Sequence, residues 1–138
     1  MTIPGSIPIA RPLFGREEIE AVASALESGW IVQGPRVAEF ERRFAAFAGV
    51  TQALACSNGT TALHLANAAL RLGPGDEVIV PAFTWVATPN AVAYCGATPV
   101  FCDIDLATFN IDPSQIEERI TSRTRGIVPV HEDRKSVV

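Results

Sequence analysis

Apolar side chains recur at intervals of three and four residues in two stretches near the N-terminus. The members of these two stripes are Ile19, Val22, Ala23 and Leu26, then Val37, Phe40, Phe44 and Phe47. This spacing predicts amphipathic helices over residues 16–28 and 35–48, with Gly29 ending the first and Pro35 opening the second. The three phenylalanines are expected to lie in the core. Before the first helix, the prolines predict an extended arm over residues 1–14.

From residue 51 onward, short apolar runs alternate with stretches of helical spacing. The apolar runs predict strands over residues 51–56, 77–81, 98–104 and 125–131. The intervening stretches predict helices over residues 59–72, 85–94 and 113–120. Strands that alternate with helices are typical of an α/β fold with a mostly parallel sheet and flanking helices. We therefore predict this fold class for the chain.

The composition fits a globular protein, since 48% of the 138 residues are hydrophobic and 19% are charged. A net charge of −4 gives no reason to expect nucleic acid or an anionic membrane as a partner. The sequence has no run near the roughly 18 apolar residues that a membrane-spanning helix needs, and its N-terminus lacks the pattern of a signal peptide. We therefore expect a cytoplasmic location.

Cysteines, a pair of aspartates and a histidine could each have a chemical or a structural role. The cysteines are Cys56, Cys95 and Cys102. Their odd number and spacing favour reduced core residues over a disulfide, a catalytic thiol or a metal site. Asp103 and Asp105 are two carboxylates without a third ligand, which favours ordering of the following loop over a metal site. For His64, a packed or solvated side chain is favoured over a catalytic one, and no metal site is expected.

The stretch around Gly59 combines a break in the apolar pattern with the start of a helix. Residues 53–56 are apolar, and Ser57-Asn58-Gly59 interrupts them before helical spacing resumes. A helix start leaves backbone N–H groups without intrahelical partners and carries partial positive charge, so Gly59 and Thr60 could hold a phosphate. An ordinary helix cap by Ser57 or Asn58 is the alternative, and taken alone it is favoured.

A tryptophan after the next predicted strand changes the balance between these two interpretations. Trp85 stands shortly after residues 77–81, at the carboxyl end of that strand. In open α/β sheets, ligands bind at the carboxyl ends of the strands. An aromatic face and a phosphate-binding helix start at neighbouring strand ends fit a flat phosphorylated ring.

Seven motifs follow one another in the order found in a known enzyme family. They are SGWIVQGP (28–35), SNGTTAL (57–63), PAFTWVAT (81–88), GATPV (96–100), DID (103–105), NID (110–112) and IVPVH (127–131). In these motifs the chain resembles, from residue 7 to residue 131, the sugar aminotransferases related to DegT, DnrJ, EryC1 and StrS. Members of this family depend on pyridoxal 5′-phosphate (PLP) and have the aspartate aminotransferase fold, called fold type I.

The resemblance implies roles for several residues. Gly59 and Thr60 would bind the cofactor phosphate, and Trp85 would lie against the pyridine ring. Trp30 and Ile31, taken alone, could equally be packing residues. The resemblance instead implies that they belong to a loop that contacts the substrate or the partner subunit, near an active site built by both subunits of a homodimer. The Schiff-base lysine and the carboxylate that pairs with the pyridine nitrogen come later in the family's sequences. This chain is therefore expected to hold half of a cofactor site and no catalytic residue.

The reaction implied by the resemblance is amino transfer from an amino acid, usually glutamate, to a keto group. The acceptor would be a nucleotide-linked keto-sugar or a related keto-cyclitol. Two alternatives remain open. The chain could belong to another fold-type-I PLP enzyme, such as an aldolase, a lyase or a desulfurase. It could also be a non-catalytic fragment or a regulatory relative without the lysine.

The C-terminal residues depart from the family pattern. Residues 1–131 would be the N-terminal portion of the large PLP-binding domain. Residues 132–138 are expected to be a non-native tail, because a common short-read sequencing adapter encodes residues 133–138 in one reading frame. The chain's one lysine, Lys135, lies in this tail, and arginine cannot replace a lysine that must form an imine. We therefore expect a truncated chain that does not catalyse amino transfer by itself.

Overall fold

The computed structural model describes residue 7 and residues 11–132. The chain divides into two compact units, Met1–Ala55 and Cys56–Val138. Most of the expected N-terminal arm lies outside the described residues. The expected tail from residue 133 onward, including Lys135, lies outside them as well.

The first unit contains two helices, α1 (Arg16–Glu27) and α2 (Pro35–Ala48). Both lie where the helical spacing of apolar residues predicts them. Gly29, just past α1, has a φ of 70°, and Gly49 ends α2 with a φ of 68°. Glycine adopts this left-handed backbone without the steric penalty of a Cβ, so local sequence signals set both helix ends.

The prediction that the phenylalanines of α2 lie in the core is wrong for this unit. Phe47 is 90% exposed, and Phe40 and Phe44 each expose more than half of their surface. Ala45 is the buried residue that α2 contributes. Phe40 and Phe44 contact each other, with ring centroids 5.8 Å apart. Apolar spacing identifies a helix face, but it does not specify what covers that face.

The second unit alternates helices and strands. Its elements are α3 (Gly59–Ala69), β1 (Glu77–Pro81), α4 (Ala87–Tyr94), β2 (Thr98–Cys102), 3₁₀ turns at Pro113–Gln115 and Glu117–Arg119, and β3 (Thr124–Ile127). The three strands form a parallel sheet in the order β2–β1–β3. Ile79 of β1 lies opposite Val100 on one side and Ile127 on the other. The predicted α/β class with a parallel sheet and flanking helices is confirmed.

The central strand β1 is buried along its whole length, as expected for a parallel strand covered on both faces. Successive side chains of a strand point to opposite faces, so β1 contributes to two separate clusters. The first cluster contains Val78, Val80, Val92 and Ala97. The second contains Ile79, Cys102 and Ile111. This core holds fixed the carboxyl end of β1, from which the chain leads to Trp85.

A buried carboxylate begins the same strand. Glu77 is 7% exposed, and its side chain accepts hydrogen bonds from the Thr121 hydroxyl and from Arg123, whose Nε lies 2.9 Å from Glu77 Oε1. These hydrogen bonds lower the pKa of Glu77 below its ordinary value, and the one from Thr121 has the largest effect. The carboxylate therefore joins β1 to the turn that precedes β3.

Two predicted elements are replaced by other structure. Residues 51–56 form no strand, because a strand requires a neighbouring strand and here the N–H of Ala55 donates to Glu41 Oε1 at 2.8 Å instead. Residues 113–120 form the two 3₁₀ turns in place of an α-helix. The backbone at Ile120 is already extended, with φ −75° and ψ 125°, which ends the helical segment early.

The other differences concern element ends. Helix α3 ends at Ala69 instead of residue 72. Arg71, two residues beyond this end, has a φ of 60°. Strand β2 stops at Cys102, after which Ile104 pairs with Ile111 in an isolated antiparallel bridge. Strand β3 covers residues 124–127 instead of 125–131, and α4 begins at residue 87 instead of 85. Pro89 falls in the first turn of α4, where a missing N–H costs no intrahelical bond.

Candidate functional site

Helix α3 begins at Gly59, with Asn58 as its N-cap. Asn58 Oδ1 accepts a hydrogen bond from the N–H of Thr61 at 2.9 Å, and the N–H of Ala62 donates to the Asn58 carbonyl oxygen at 3.1 Å. The cap that the sequence favoured is therefore present. It satisfies the third N–H of the helix, whereas those of Gly59 and Thr60 precede the first intrahelical bond. A cap and an anion site are compatible at this helix start.

The space in front of these two N–H groups is open. A Cβ built on Gly59 would meet no atom within 4 Å. Thr60 is half-buried, and its hydroxyl forms no hydrogen bond to another described residue. The positive end of the helix dipole lies at the same place. An anionic oxygen could thus reach two backbone N–H groups and a hydroxyl.

Trp85 lies in the segment that joins β1 to α4. Its side chain is 77% exposed, so it is not a core residue of this unit. The segment around it is ordered by hydrogen bonds: the N–H of Thr88 donates to the Trp85 carbonyl oxygen at 3.0 Å, and the hydroxyls of Thr84 and Thr88 lie 2.9 Å apart. Thr88 is buried, which anchors this end of α4. The indole is therefore presented to solvent from a fixed backbone.

The second unit brings the residues predicted from the sequence together around one cavity of about 630 Å³. Gly59, Thr60 and Trp85 all line it. The other lining residues are Ala62, Leu63, Ala87 and Thr88. Sequence reasoning assigned no role to these four. Helical spacing could have found one of them, because Leu63 is four residues after Gly59 in α3 and shares its helix face.

The cavity suits a flat ring that carries an anionic group. Its volume falls within the range of roughly 300–1,000 Å³ that is typical of small-molecule sites. The open N–H groups of Gly59 and Thr60 would take the anion. The indole of Trp85 would offer an aromatic face to the ring. Chemically, this half of a site can bind and orient a ligand, and among the residues that line it there is no acid, base or nucleophile of high reactivity.

The other polar candidates have structural roles, as the sequence favoured. The imidazole of His64 is half-buried and packs edge-on against Tyr94, with ring centroids 5.5 Å apart. Asp105 Oδ1 accepts hydrogen bonds from the N–H of Ala107 at 3.0 Å and of Thr108 at 2.9 Å. Asp103 Oδ1 accepts from the next N–H in the chain. Both carboxylates therefore order the loop after β2.

Trp30 and Ile31 belong to the first unit, in the connection between α1 and α2. Both side chains are more than half exposed. Trp30 Nε1 donates to the Gln33 carbonyl oxygen at 2.8 Å, which fixes the indole within its own loop. The place of this loop beside the cofactor remains a prediction.

The prediction of core cysteines is confirmed for Cys102, which is buried in the sheet core. It is wrong for Cys56 and Cys95, which are free thiols that are only half-buried. Burial raises the pKa of the Cys102 thiol, which keeps it in the unreactive form. Among the described residues, no group of three or more His, Cys, Asp or Glu side chains could hold a metal ion. Within the same residues, no helix has the length and apolar character needed to cross a membrane.

Comparison with known proteins gives consistent matches. The model of the DegT/DnrJ/EryC1/StrS aminotransferase family matches residues 12–132. The spore coat polysaccharide biosynthesis protein SpsC of Bacillus subtilis (strain 168) is 50% identical over 125 residues, which are 91% of this chain and 32% of that protein. GDP-perosamine synthase of Caulobacter vibrioides is 50% identical over 126 residues, or 91% of this chain and 34% of that protein. The structure of Spr1654 from Streptococcus pneumoniae in its PMP form aligns with a TM-score of 0.83 and 41% identity, over 89% of this chain and 31% of that chain.

The chain spans about a third of the length of the curated relatives that it matches. The family match covers every helix and strand of both units, from α1 to β3. The α/β fold with its parallel sheet agrees with the fold of the aligned structure. This chain belongs to the DegT/DnrJ/EryC1/StrS aminotransferase family.

Proposed function

We propose that this chain forms the phosphate- and ring-binding half of the PLP site in an aminotransferase that acts on sugars. The observation that carries the proposal is the cavity in which the start of α3 and the exposed face of Trp85 meet. Family membership supports PLP as the ligand of this cavity, and Spr1654 was solved in a PMP form.

The residues present fit the phosphate end of PLP. Gly59 has open space where any other residue would place a Cβ, so the phosphate could approach the backbone closely. The N–H groups of Gly59 and Thr60, together with the Thr60 hydroxyl, would bind its oxygens, and the dipole of α3 would favour its negative charge. Asn58, already bound to Thr61, would hold the helix start in place.

The face of Trp85 would position the pyridine ring and exclude water from one side of it. An exposed indole is suited to this task when the backbone that carries it is already fixed, here by the hydrogen bond from the N–H of Thr88 to the Trp85 carbonyl oxygen. When bound, PLP supplies the electron sink that loosens a bond at the substrate's Cα. No proton transfer is assigned to a residue of this chain.

For the whole protein we propose amino transfer from an amino acid, with glutamate as the donor, to a nucleotide-linked keto-sugar or a related keto-cyclitol. GDP-perosamine synthase among the relatives supports a sugar nucleotide as the acceptor. The family resemblance also supports a homodimer in which Trp30 and Ile31 lie near the substrate or the partner subunit. A cytoplasmic location is part of the same proposal.

The test uses the full protein, purified with PLP and dialysed. We expect visible-range PLP absorbance to persist after dialysis in the wild type and to be lost in Gly59→Val, because the added side chain would enter the space of the phosphate. Gly73→Ala is the matched control, since Gly73 also has open space for a Cβ but lies outside the cavity. Glutamate-dependent amination of nucleotide-linked keto-sugars is then assayed.

Two outcomes would contradict the proposal. Retention of PLP by Gly59→Val at the wild-type level would remove Gly59 from the phosphate site. A PLP-loaded wild type that aminates no keto-sugar, but cleaves or eliminates an amino acid, would place the protein with the other fold-type-I reactions.

A further inference from the structure

The connection between α1 and α2 holds an exposed aromatic ring in a fixed position. Trp30 is 57% exposed, yet its Nε1 donates to the Gln33 carbonyl oxygen at 2.8 Å and its backbone N–H donates to Ser28 Oγ at 3.2 Å. Ser28 Oγ in turn donates to the carbonyl oxygen of Ala25 at 2.7 Å. A ring held by its own loop has one face packed on the loop and the other available to a ligand.

Gly34 is the residue on which the indole is packed. A Cβ at this position would lie 2.0 Å from Trp30 Nε1 and 2.6 Å from two carbon atoms of the ring. The φ of Gly34 is −178°, an extended backbone that any residue adopts. Backbone conformation therefore does not require glycine here. The position of the indole requires it, because a side chain would displace the ring.

The ring forms one wall of a cavity of about 230 Å³, the Trp30 cleft, which Ser28, Trp30, Val32, Gly34, Pro35 and Arg36 line. Arg36 is the positively charged residue of the Trp30 cleft. The Nη2 of Arg36 donates to the neutral hydroxyl of Ser24 at 2.9 Å, and no carboxylate among the described residues forms a salt bridge with it. A guanidinium without an acidic partner remains available to an anion, and phosphate is a preferred one.

We propose that the Trp30 cleft binds a ring that carries a phosphate group, with Trp30 as the platform, Gly34 as the residue that positions it and Arg36 as the phosphate ligand. The cleft is smaller than the roughly 300 Å³ at which drug-sized sites begin, so it fits one ring and its charged group. Two portions of a sugar nucleotide contain a ring that carries a phosphate group: the nucleoside monophosphate, through its ribose, and the sugar 1-phosphate. The choice of these two sources rests on the proposed function.

The experiment measures binding of four probes: UMP, GMP, glucose 1-phosphate and inorganic phosphate. Affinities are obtained by calorimetry with the full protein carrying PLP. In parallel, the 138-residue chain with Trp85→Phe, in which Trp30 is the remaining tryptophan, gives fluorescence titrations. We expect at least one ring phosphate to bind about tenfold more tightly than inorganic phosphate and to quench Trp30. Preference for the nucleoside monophosphates or for the sugar phosphate identifies the source.

Three variants distinguish the parts of the cleft. Gly34→Ala should weaken binding of the ring phosphate about tenfold and leave binding of inorganic phosphate unchanged, because the substitution moves the Trp30 ring and not the charge of Arg36. Arg36→Gln should weaken both about tenfold or more, as expected for loss of a charge-assisted hydrogen bond. Gly73→Ala, an alanine in open space, should change neither. Ring phosphates that bind no better than inorganic phosphate, or equal behaviour of the two alanine variants, would overturn the proposal.

The Trp30 cleft and the PLP cavity lie in different units of the chain. Failure of this inference and failure of the proposed function therefore give different experimental results. If PLP is retained through Gly59 but Gly34→Ala and Arg36→Gln bind every probe normally, this inference fails and the proposed function stands. If the protein retains no PLP while the ring phosphate still requires Gly34 and Arg36, the proposed function fails and the cleft stands.

Discussion

Replacing Trp85 with alanine separates the two uses that a protein can make of a tryptophan. A core tryptophan supports the folded state, whereas a ligand platform supports binding and contributes little to folding. The structure favours the second use, since Trp85 is 77% exposed and lines the cavity with Gly59 and Thr60. The change should therefore weaken PLP binding and leave the fold almost unaffected.

The magnitudes can be estimated separately. Truncation of a buried aromatic side chain costs about 3–5 kcal/mol of folding free energy. Less than a quarter of Trp85 is buried, so the expected cost is about 1 kcal/mol or less. Aromatic contact with a ring contributes about 0.5–1.5 kcal/mol beyond the area that it buries, which corresponds to a PLP dissociation constant raised roughly 2- to 12-fold.

The assay measures both quantities on the same preparations of the full protein. Urea unfolding is followed without PLP, so that ligand binding does not add to the measured stability. PLP affinity is measured by absorbance titration. Trp85→Phe should keep most of the affinity. Val92→Ala is the matched control for stability, because Val92 is fully buried and its truncation should cost roughly 2 kcal/mol without a change in PLP affinity. The reasoning is refuted if Trp85→Ala unfolds as easily as Val92→Ala and still binds PLP normally.

Three further changes test the start of α3 and the chain as a catalyst. Asn58→Ala should lower the free energy of unfolding by about 1 kcal/mol in urea titrations, because it removes the acceptor of the Thr61 N–H. Asn58→Asp should keep that acceptor and the stability but weaken PLP retention after dialysis, because its charge would stand beside the cofactor phosphate; equal PLP retention would argue against a phosphate there. The 138-residue chain alone, given PLP and glutamate, should form no aminated product in a coupled assay, and product formation abolished by Lys135→Ala would contradict this.

Local patterns predicted what local forces determine. The spacing of apolar residues gave the helices α1 and α2, and Gly29 and Gly49 marked their ends, because helix formation and capping involve residues close in sequence. The sequence left two interpretations of the start of α3, an ordinary helix cap and a phosphate site, and the structure permits both. The Asn58 cap takes one N–H group and leaves those of Gly59 and Thr60.

Features that depend on distant partners were predicted less well. Residues 51–56 have the composition of a strand, but the pairing that makes a strand comes from elsewhere in the fold, and Glu41 takes the N–H of Ala55 instead. The exposed face of Phe40, Phe44 and Phe47 is a second case, since its spacing predicts burial without naming a partner. In the candidate site, Trp85 was found from its motif, whereas Thr88, which anchors its backbone, required the structure.

Glu77 makes the stability of the second unit sensitive to acid in a direction that its contacts determine. Hydrogen bonds from Thr121 and Arg123 stabilise the ionised carboxylate and lower its pKa below the ordinary value of 4.5. A group whose pKa is lower in the folded state stabilises the fold fully above its unfolded pKa, and this contribution is lost as the pH falls through the folded pKa. The difference in unfolding free energy between wild type and Glu77→Gln should therefore be constant near neutral pH and shrink below about pH 4.5. Thr121→Val, which removes the strongest contribution to the lowered pKa, should shift this loss to higher pH. A difference that stays constant down to pH 3 in urea titrations would show that the ionised carboxylate is not what joins β1 to the turn before β3.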